Sequence, residues 1–247
     1  MEWLRKPRAA LAIILPFPRS SMCTAIRTES IPTIDLSRGS AMSDIGAVIL
    51  AAGLSRRFRS EGGREISKLV ALLNGKPLVR HAAEAALASR ARPVVVVTGH
   101  AREAVEAALT GLPVAFANNA NYATGLASSL NVGVAALPSG VAGALILLGD
   151  MPGIEAATLD RLIDAFAHRP EALAATPIYA GRRGNPALLS RALFAALARL
   201  DGDEGARRVL AEVDPSRVVA LDVDSDGVSL DIDTPDELAA ARNARLQ

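Results

Sequence analysis

Cysteine occurs once in the 247 residues, at Cys23, so neither an internal disulfide nor a thiolate-bound zinc can form within the chain. Histidine occurs three times (His81, His100 and His168), too widely spaced for a H-E-x-x-H type of metal site. Aromatic residues make up 3% of the chain, which removes the stacking platforms that single-strand binders need. Lys and Arg number 27 against 26 Asp and Glu, so there is no global basic field either. These two shortages argue against nucleic acid as a partner. Neither common phosphate loop is present: no G-x-G-x-x-G and no G-x-x-x-x-G-K-[ST] occurs anywhere. The apolar stretch from Ala9 to Leu15 ends at Pro16 and Pro18, far below the ~20 residues of a membrane span. A reducing cytoplasm without membrane attachment is the expected setting.

What remains is a composition suited to a globular protein, half hydrophobic and 21% charged, with length for one large α/β domain or two small ones. The first forty residues stand apart. A basic start (Arg5, Lys6, Arg8) and a short apolar run resemble a secretion signal, but no small-x-small cleavage site follows closely. Met42-Ser43-Asp44 stands directly before the first strand. Residues 1–43 are therefore expected to be a disordered N-terminal extension and 44–247 the working domain.

That domain is organised around Gly46-Ala47-Val48-Ile49-Leu50-Ala51-Ala52-Gly53-Leu54-Ser55-Arg56-Arg57-Phe58, with Lys68 ten residues on. An apolar run without alternation reads as a buried strand, and the glycine at its end permits a sharp turn beside a ligand. From Leu54 to Lys68 five basic residues face two acids, a local charge of +3. Such a turn suits a polyanion such as a nucleoside triphosphate, held by backbone N–H groups and neutralised by Arg and Lys.

Further on, apolar runs at 93–98, 112–116, 144–148, 172–177 and 217–221 read as strands. Helical patterns at 77–89, 101–109, 124–137, 155–168, 190–199 and 205–212 separate them. Unbroken apolar strands alternating with helices predict a Rossmann-like three-layer α/β/α fold with a mostly parallel sheet. Ligands then bind beyond the carboxyl ends of the strands. The signature turn, Thr98-Gly99-His100, Asn118-Asn119 and Gly149-Asp150 all fall at such ends. A last helix opens at Thr234-Pro235-Asp236-Glu237, a capping box.

Two acidic places are candidates for a hard cation. Asp150 ends a buried strand, and magnesium needs only one or two carboxylates when phosphates supply its other oxygens. Near the end come Asp222, Asp224 and Asp226, then Asp231-Ile232-Asp233. The first three, with Gly227, match part of an EF-hand loop, yet a strand rather than a helix precedes them, so 222–227 is read as a solvated turn. Alternation in an extended segment places Asp231 and Asp233 on one face about an inward Ile232. Asp233 is the preferred ligand, with Asp231 in support.

The signature stretch resembles that of the molybdenum-cofactor nucleotidyltransferases, L-A-A-G-x-S-x-R-F/M-G followed by Lys. Asp150 stands in the family's G-D-x-P, and Asp231 to Pro235 in its D-I-D-T-P. The run from Asn119 to Leu130 is similar to a base- and ribose-proximal segment, and Gly181 to Pro186 and Gly202 to Arg207 to loops on the second substrate's side. What the resemblance implies is a nucleotide-diphospho-sugar transferase-like fold and transfer of CMP from CTP to a phosphorylated acceptor, molybdopterin or molybdenum cofactor, with Mg²⁺ and release of pyrophosphate. Guanylyl relatives tend to read L-A-G-G, whereas this chain has Leu50-Ala51-Ala52-Gly53. The resemblance implies catalytic roles for Arg57, Lys68 and Asp150. It implies nucleotide contacts at Leu50, Ala51, Ala52, Gly53, Ser55, Thr98, Gly99, Asn119, Gly125 and Ser129, metal ligation by Asp150, Asp233 and Asp231, and acceptor contacts at Arg183, Gly184, Asn185, Pro186 and Asp203. A molybdoenzyme or its chaperone would be the protein partner. Two positions depart from the pattern: Arg59 replaces a glycine in a lengthened loop, and Asn185 replaces a histidine. A guanylyltransferase, another small-phosphate nucleotidyltransferase and a non-catalytic nucleotide-binding regulator remain open, whereas the missing glycine fingerprint disfavours a nicotinamide-dependent oxidoreductase.

Overall fold

The computed structural model describes residues 44–244; the expected N-terminal extension, with Cys23, lies outside the described residues. Strand β1 (Ile45–Ala51) is buried along its whole length, which is why its sequence is apolar without alternation. It lies between β4 (Val94–Thr98) and β6 (Gly143–Leu148), parallel to both. Beyond β4 comes the parallel edge strand β5 (Ala115–Asn118). On the other side β9 (Ala187–Ser190) pairs antiparallel with β6 and with β7 (Ala174–Tyr179), and β10 (Val218–Asp222) closes the sheet parallel to β7. The order is β10-β7-β9-β6-β1-β4-β5, with β8 (Arg182–Arg183) folded back on β7. A hairpin of β2 (Leu72–Leu73) and β3 (Lys76–Pro77) stands apart from it.

Alternate residues of β1 serve opposite layers. Ala47, Ile49 and Ala51 pack with α2 (Leu78–Ala88), α3 (Arg102–Ala108) and α5 (Ala156–Ala167). Val48 and Leu50 pack with α4 (Leu126–Ala135), α6 (Phe194–Leu197) and α7 (Ala206–Glu212). The expected α/β/α architecture is thus present, with one correction in its detail. The short run Ala187-Leu188-Leu189, expected in no element, is a central antiparallel strand, and the helix expected over 190–199 is a 3-10 turn (Arg191–Leu193) followed by the single turn α6.

A third, smaller apolar cluster links segments far apart in the chain. Phe58 of α1 (Arg56–Ser60), Ala71, Leu73, Leu78, Ile232 and Leu238 of α8 (Pro235–Ala244) are buried together. The cluster joins the basic turn near the start of the domain to the Asp231–Asp233 segment near its end. The 222–227 segment, expected to be a solvated turn, is only half so. Asp222, Asp224 and Asp226 are exposed, but Val223 and Gly227 are buried. Val223 joins the large apolar core, and Gly227 packs backbone to backbone, where an added Cβ would meet the Gly153 carbonyl oxygen at 2.0 Å. Backbone cannot yield as a flexible side chain can, so Gly227→Ala is expected to lower stability by about 2 kcal/mol, within the range for overpacking. Urea unfolding measures this, with Gly140→Ala, whose Cβ meets nothing within 4 Å, as a near-neutral control.

Candidate active site

A crevice of about 390 Å³ opens at the carboxyl ends of β1 and β6. Its walls include Leu50, Ala52, Gly53, Ser55, Arg57 and Lys68 from the signature stretch. Gly125 and Ser129 join from the start of α4, Asp150 from the end of β6, and Asp203 and Asp233 from later loops. Residues separated by up to 183 positions, from Leu50 to Asp233, therefore meet in one place.

The contact that unites them is made by Lys68. Its Nζ lies 2.5 Å from Asp150 Oδ2 and 2.6 Å from Asp233 Oδ1, and all three side chains are largely buried. Burial disfavours the Lys68 charge, but the two carboxylates outweigh it and hold the ammonium above its usual range. Arg57 reaches Asp233 from the solvent side, Nη2 to Oδ2 at 2.7 Å. Asp150 Oδ1 is buried with no hydrogen-bond partner among the described residues. An acceptor oxygen left in that condition is costly unless a cation or donor comes to it.

Local structure explains how each member is held. Ser55, in the left-handed region at φ 51°, accepts a hydrogen bond on Oγ from the Lys68 backbone N–H at 3.1 Å. It also bonds the buried Ser67 hydroxyl at 3.1 Å, and Ser67 caps the 3-10 turn Lys68–Val70 by accepting from Leu69 N–H. The basic excursion from 56 to 66 is therefore pinned at both ends. At the other side Ile232 N–H donates to the Asp150 carbonyl at 3.1 Å. The Glu237 carboxylate accepts from the N–H groups of Asp233 and Thr234, and Thr234 Oγ1 accepts from Glu237 N–H, completing the capping box. Capping α8 thus also fixes Asp233.

Other candidates take up different positions. Ala51 points into the core, and Thr98 is buried with its hydroxyl toward Glu106. Gly99 and Asn119 do not line the crevice but support it. The buried Asn119 amide donates to the hydroxyls of Ser128 and Ser129 and accepts from Asn121 N–H. Arg183, Gly184, Asn185 and Pro186 also lie off the crevice walls, tied to the late acidic segment by Asn185 N–H donating to the Val228 carbonyl. Asp231 is exposed and does not line the crevice, while Ile232 between it and Asp233 turns inward and is buried. Eight lining residues, Leu54, Arg56 and Tyr122 among them, were not among the sequence candidates. Arg56 was within reach of the charge argument, and Tyr122 lay in the run from Asn119 to Leu130 without being singled out there.

The oxygen donor set suits a hard divalent cation. Two carboxylates that can touch one ammonium can share one ion, and Asp150 Oδ1 supplies a further oxygen. Among the described residues no group of three or more His, Cys, Asp or Glu forms a ready cage, so remaining oxygens would come from ligand and water. The cost of crowding the acids is visible at Asp231, an exposed residue whose carboxyl is partly desolvated on its inner side and is pushed above its usual 3.8 by that desolvation and by the charges of Asp150 and Asp233. A carboxyl so raised favours its protonated form in the folded state, so its stabilising effect is lost as pH climbs through the raised value. Asp231→Asn, which fixes the uncharged form, is expected to raise Tm at pH 7 in chelator-treated buffer and to leave Tm unchanged at pH 3. Scanning calorimetry at both pH values measures this.

Comparison with known proteins places this geometry. The sequence pattern of the MobA-like NTP transferase domain matches residues 47–218. Nicotine blue oxidoreductase of Paenarthrobacter nicotinovorans is 31% identical over 202 residues, spanning 78% of this chain and 94% of that protein. Bifunctional protein GlmU of Clavibacter sepedonicus is 38% identical over 123 residues, 49% of this chain; the chain spans only 24% of that relative's length. Among solved structures, Rv0371c of Mycobacterium tuberculosis H37Rv superposes with TM-score 0.68 at 28% identity, covering 82% of this chain and 99% of that one. The same mycobacterial protein has been solved in complex with manganese, with TM-score 0.65 at 28% identity over 82% of this chain and 100% of that one. With the domain pattern matched across well over half its length and the crevice built where that pattern begins, the chain belongs to the MobA-like NTP transferase family.

Proposed function

We propose that the chain is a magnesium-dependent nucleotidyltransferase that moves CMP from CTP to a phosphorylated acceptor of the molybdopterin type, releasing pyrophosphate. The observation that carries this reading is the junction of Lys68 with Asp150 and Asp233 on the crevice that Arg57 also lines. Family membership supports nucleotide chemistry, and the manganese complex of the mycobacterial relative supports a divalent ion. The choice of CTP rests on Leu50-Ala51-Ala52-Gly53.

In the reaction an acceptor phosphate oxygen bonds to the α-phosphorus of CTP while the bond from that phosphorus to the α,β-bridging oxygen breaks. The electron pair leaves with pyrophosphate. Both reactants are anionic, so the chain's task is to position them and to offset charge. Asp150 and Asp233 would hold the magnesium, whose chemistry there is to neutralise the α-phosphate and the departing pyrophosphate. Lys68 and Arg57 offer their N–H donors to the phosphate oxygens whose charge grows at the transition state. Gly53 and Ser55 bring backbone close to the phosphates. The acceptor enters past Asp203 and the turn Arg183-Gly184-Asn185-Pro186. A molybdoenzyme or its chaperone would take the product. Among the described residues no helix is long and apolar enough to cross a membrane, and the single cysteine fits a reducing cytoplasm.

A second reading has one specific support: the relative aligned over 94% of its length is named an oxidoreductase. In that case the same crevice would hold a redox dinucleotide and release no pyrophosphate. Assaying pyrophosphate release with each of the four NTPs, with and without molybdenum cofactor, separates the readings. CTP-dependent release supports the transferase, whereas no release together with enhanced NADH or NADPH fluorescence supports the oxidoreductase. In the transferase, Asp150→Asn is expected to lower kcat by at least 10²-fold, the scale of one lost electrostatic contact at a transition state. Lys68→Ala should lower kcat more than it raises KM, and a change in KM alone would make Lys68 a ground-state binder.

A further inference from the structure

The crevice has two chemically different regions, and the sheet order separates them. Asp150 follows β6 on one side of β1, whereas the loop holding Tyr122 follows β5, two strands beyond β1 on the other side. With strands about 4.8 Å apart, β6 and β5 are separated by roughly 14 Å, a span suited to a nucleoside triphosphate lying across the strand ends. The carboxylates, Lys68 and Arg57 provide charge for one end of such a ligand. Among the described residues Tyr122 is the one aromatic side chain lining the crevice, in a chain that is 3% aromatic.

Its surroundings hold the ring firmly. The chain turns through the 3-10 segment Tyr122–Thr124, fixed below by the Asn119 amide and above by Ser128 Oγ donating to the Asn121 carbonyl. Gly99 permits the approach, because a Cβ there would sit 2.7 Å from Tyr122 Cβ and 2.8 Å from Ala52 Cβ. The His100 ring backs the tyrosine at a centroid distance of 5.9 Å and a tilt of 49°. Gly99 and His100 thus bear on the crevice through Tyr122.

We propose that the Tyr122 ring is the platform against which the base of the bound nucleotide stacks. The proposal rests on the nucleotidyltransferase reading and adds to it a residue that contacts the base and not the phosphates. Stacking on an aromatic face is tolerant of base identity, so Tyr122 strengthens binding of every NTP and leaves the choice among bases to the polar groups around it.

Calorimetric titration with each of the four NTPs and with inorganic tripolyphosphate, all with Mg²⁺, tests this on wild type, Tyr122→Phe, Tyr122→Leu and Tyr122→Ala. Tyr122→Phe should bind CTP like wild type. Tyr122→Leu and Tyr122→Ala should each weaken CTP at least fivefold while binding tripolyphosphate with unchanged affinity, which also reports that the site is folded. Either of two results overturns the proposal: wild-type CTP affinity in Tyr122→Leu, or equal loss of CTP and tripolyphosphate affinity in both the leucine and alanine variants. A wild-type protein that binds none of the four NTPs overturns the transferase reading instead, and the stacking role with it. The wild-type and variant arms therefore fail separately.

Discussion

Two carboxylates held together in a largely buried crevice repel one another, and the structure is arranged around the cation that permits it. Lys68 contacts Asp150 and Asp233 at 2.5 and 2.6 Å, with Arg57 on the outer oxygen of Asp233. Losing one partner of a mostly buried ionic group leaves uncompensated charge and costs about 3–5 kcal/mol. The junction therefore binds three distant parts of the chain electrostatically, and the same concentration of charge makes the crevice suitable for a metal triphosphate. Burial strengthens the attraction and also the penalty for breaking it.

The junction depends on packing that carries no charge. Ile232 is fully buried between its two aspartates, in a cluster with Phe58 from the basic turn and Leu238 from the last helix. Apolar burial sets the distance between the turn and the late acids, at a gain of about 25 cal/mol per Å² removed from water. The capping box then sets the angle at which Asp233 leaves the backbone. Chemistry at the crevice rests on a hydrophobic contact and a helix start, neither of which touches a ligand.

Much of this was legible in the sequence because long apolar runs report burial directly. β1, β4 and β6 read as strands since each is covered on both faces, and the ends of such strands located the crevice. β9 was not legible: Ala187–Ser190 is too short for a period to show, and its antiparallel placement between β6 and β7 is decided by tertiary pairing. The inward turn of Ile232 was legible from alternation, and the residue is fully buried in the third cluster. Tyr122 lay within the run from Asn119 to Leu130 read as similar to a base- and ribose-proximal segment, but was not singled out in it. Its position depends on Gly99, a residue from another strand end, and no local pattern encodes that approach.

The pair of serine hydroxyls at the base of the Arg-rich excursion has an evolutionary corollary. Because Ser55 Oγ receives the Lys68 N–H and also meets Ser67, the position of the lysine is set by those two hydroxyls and not by how many residues lie between them. Loop closure entropy grows only slowly with length, so the interval can gain or lose residues at little energetic cost. The outer rim of the crevice can therefore change in length while its innermost cation keeps its place.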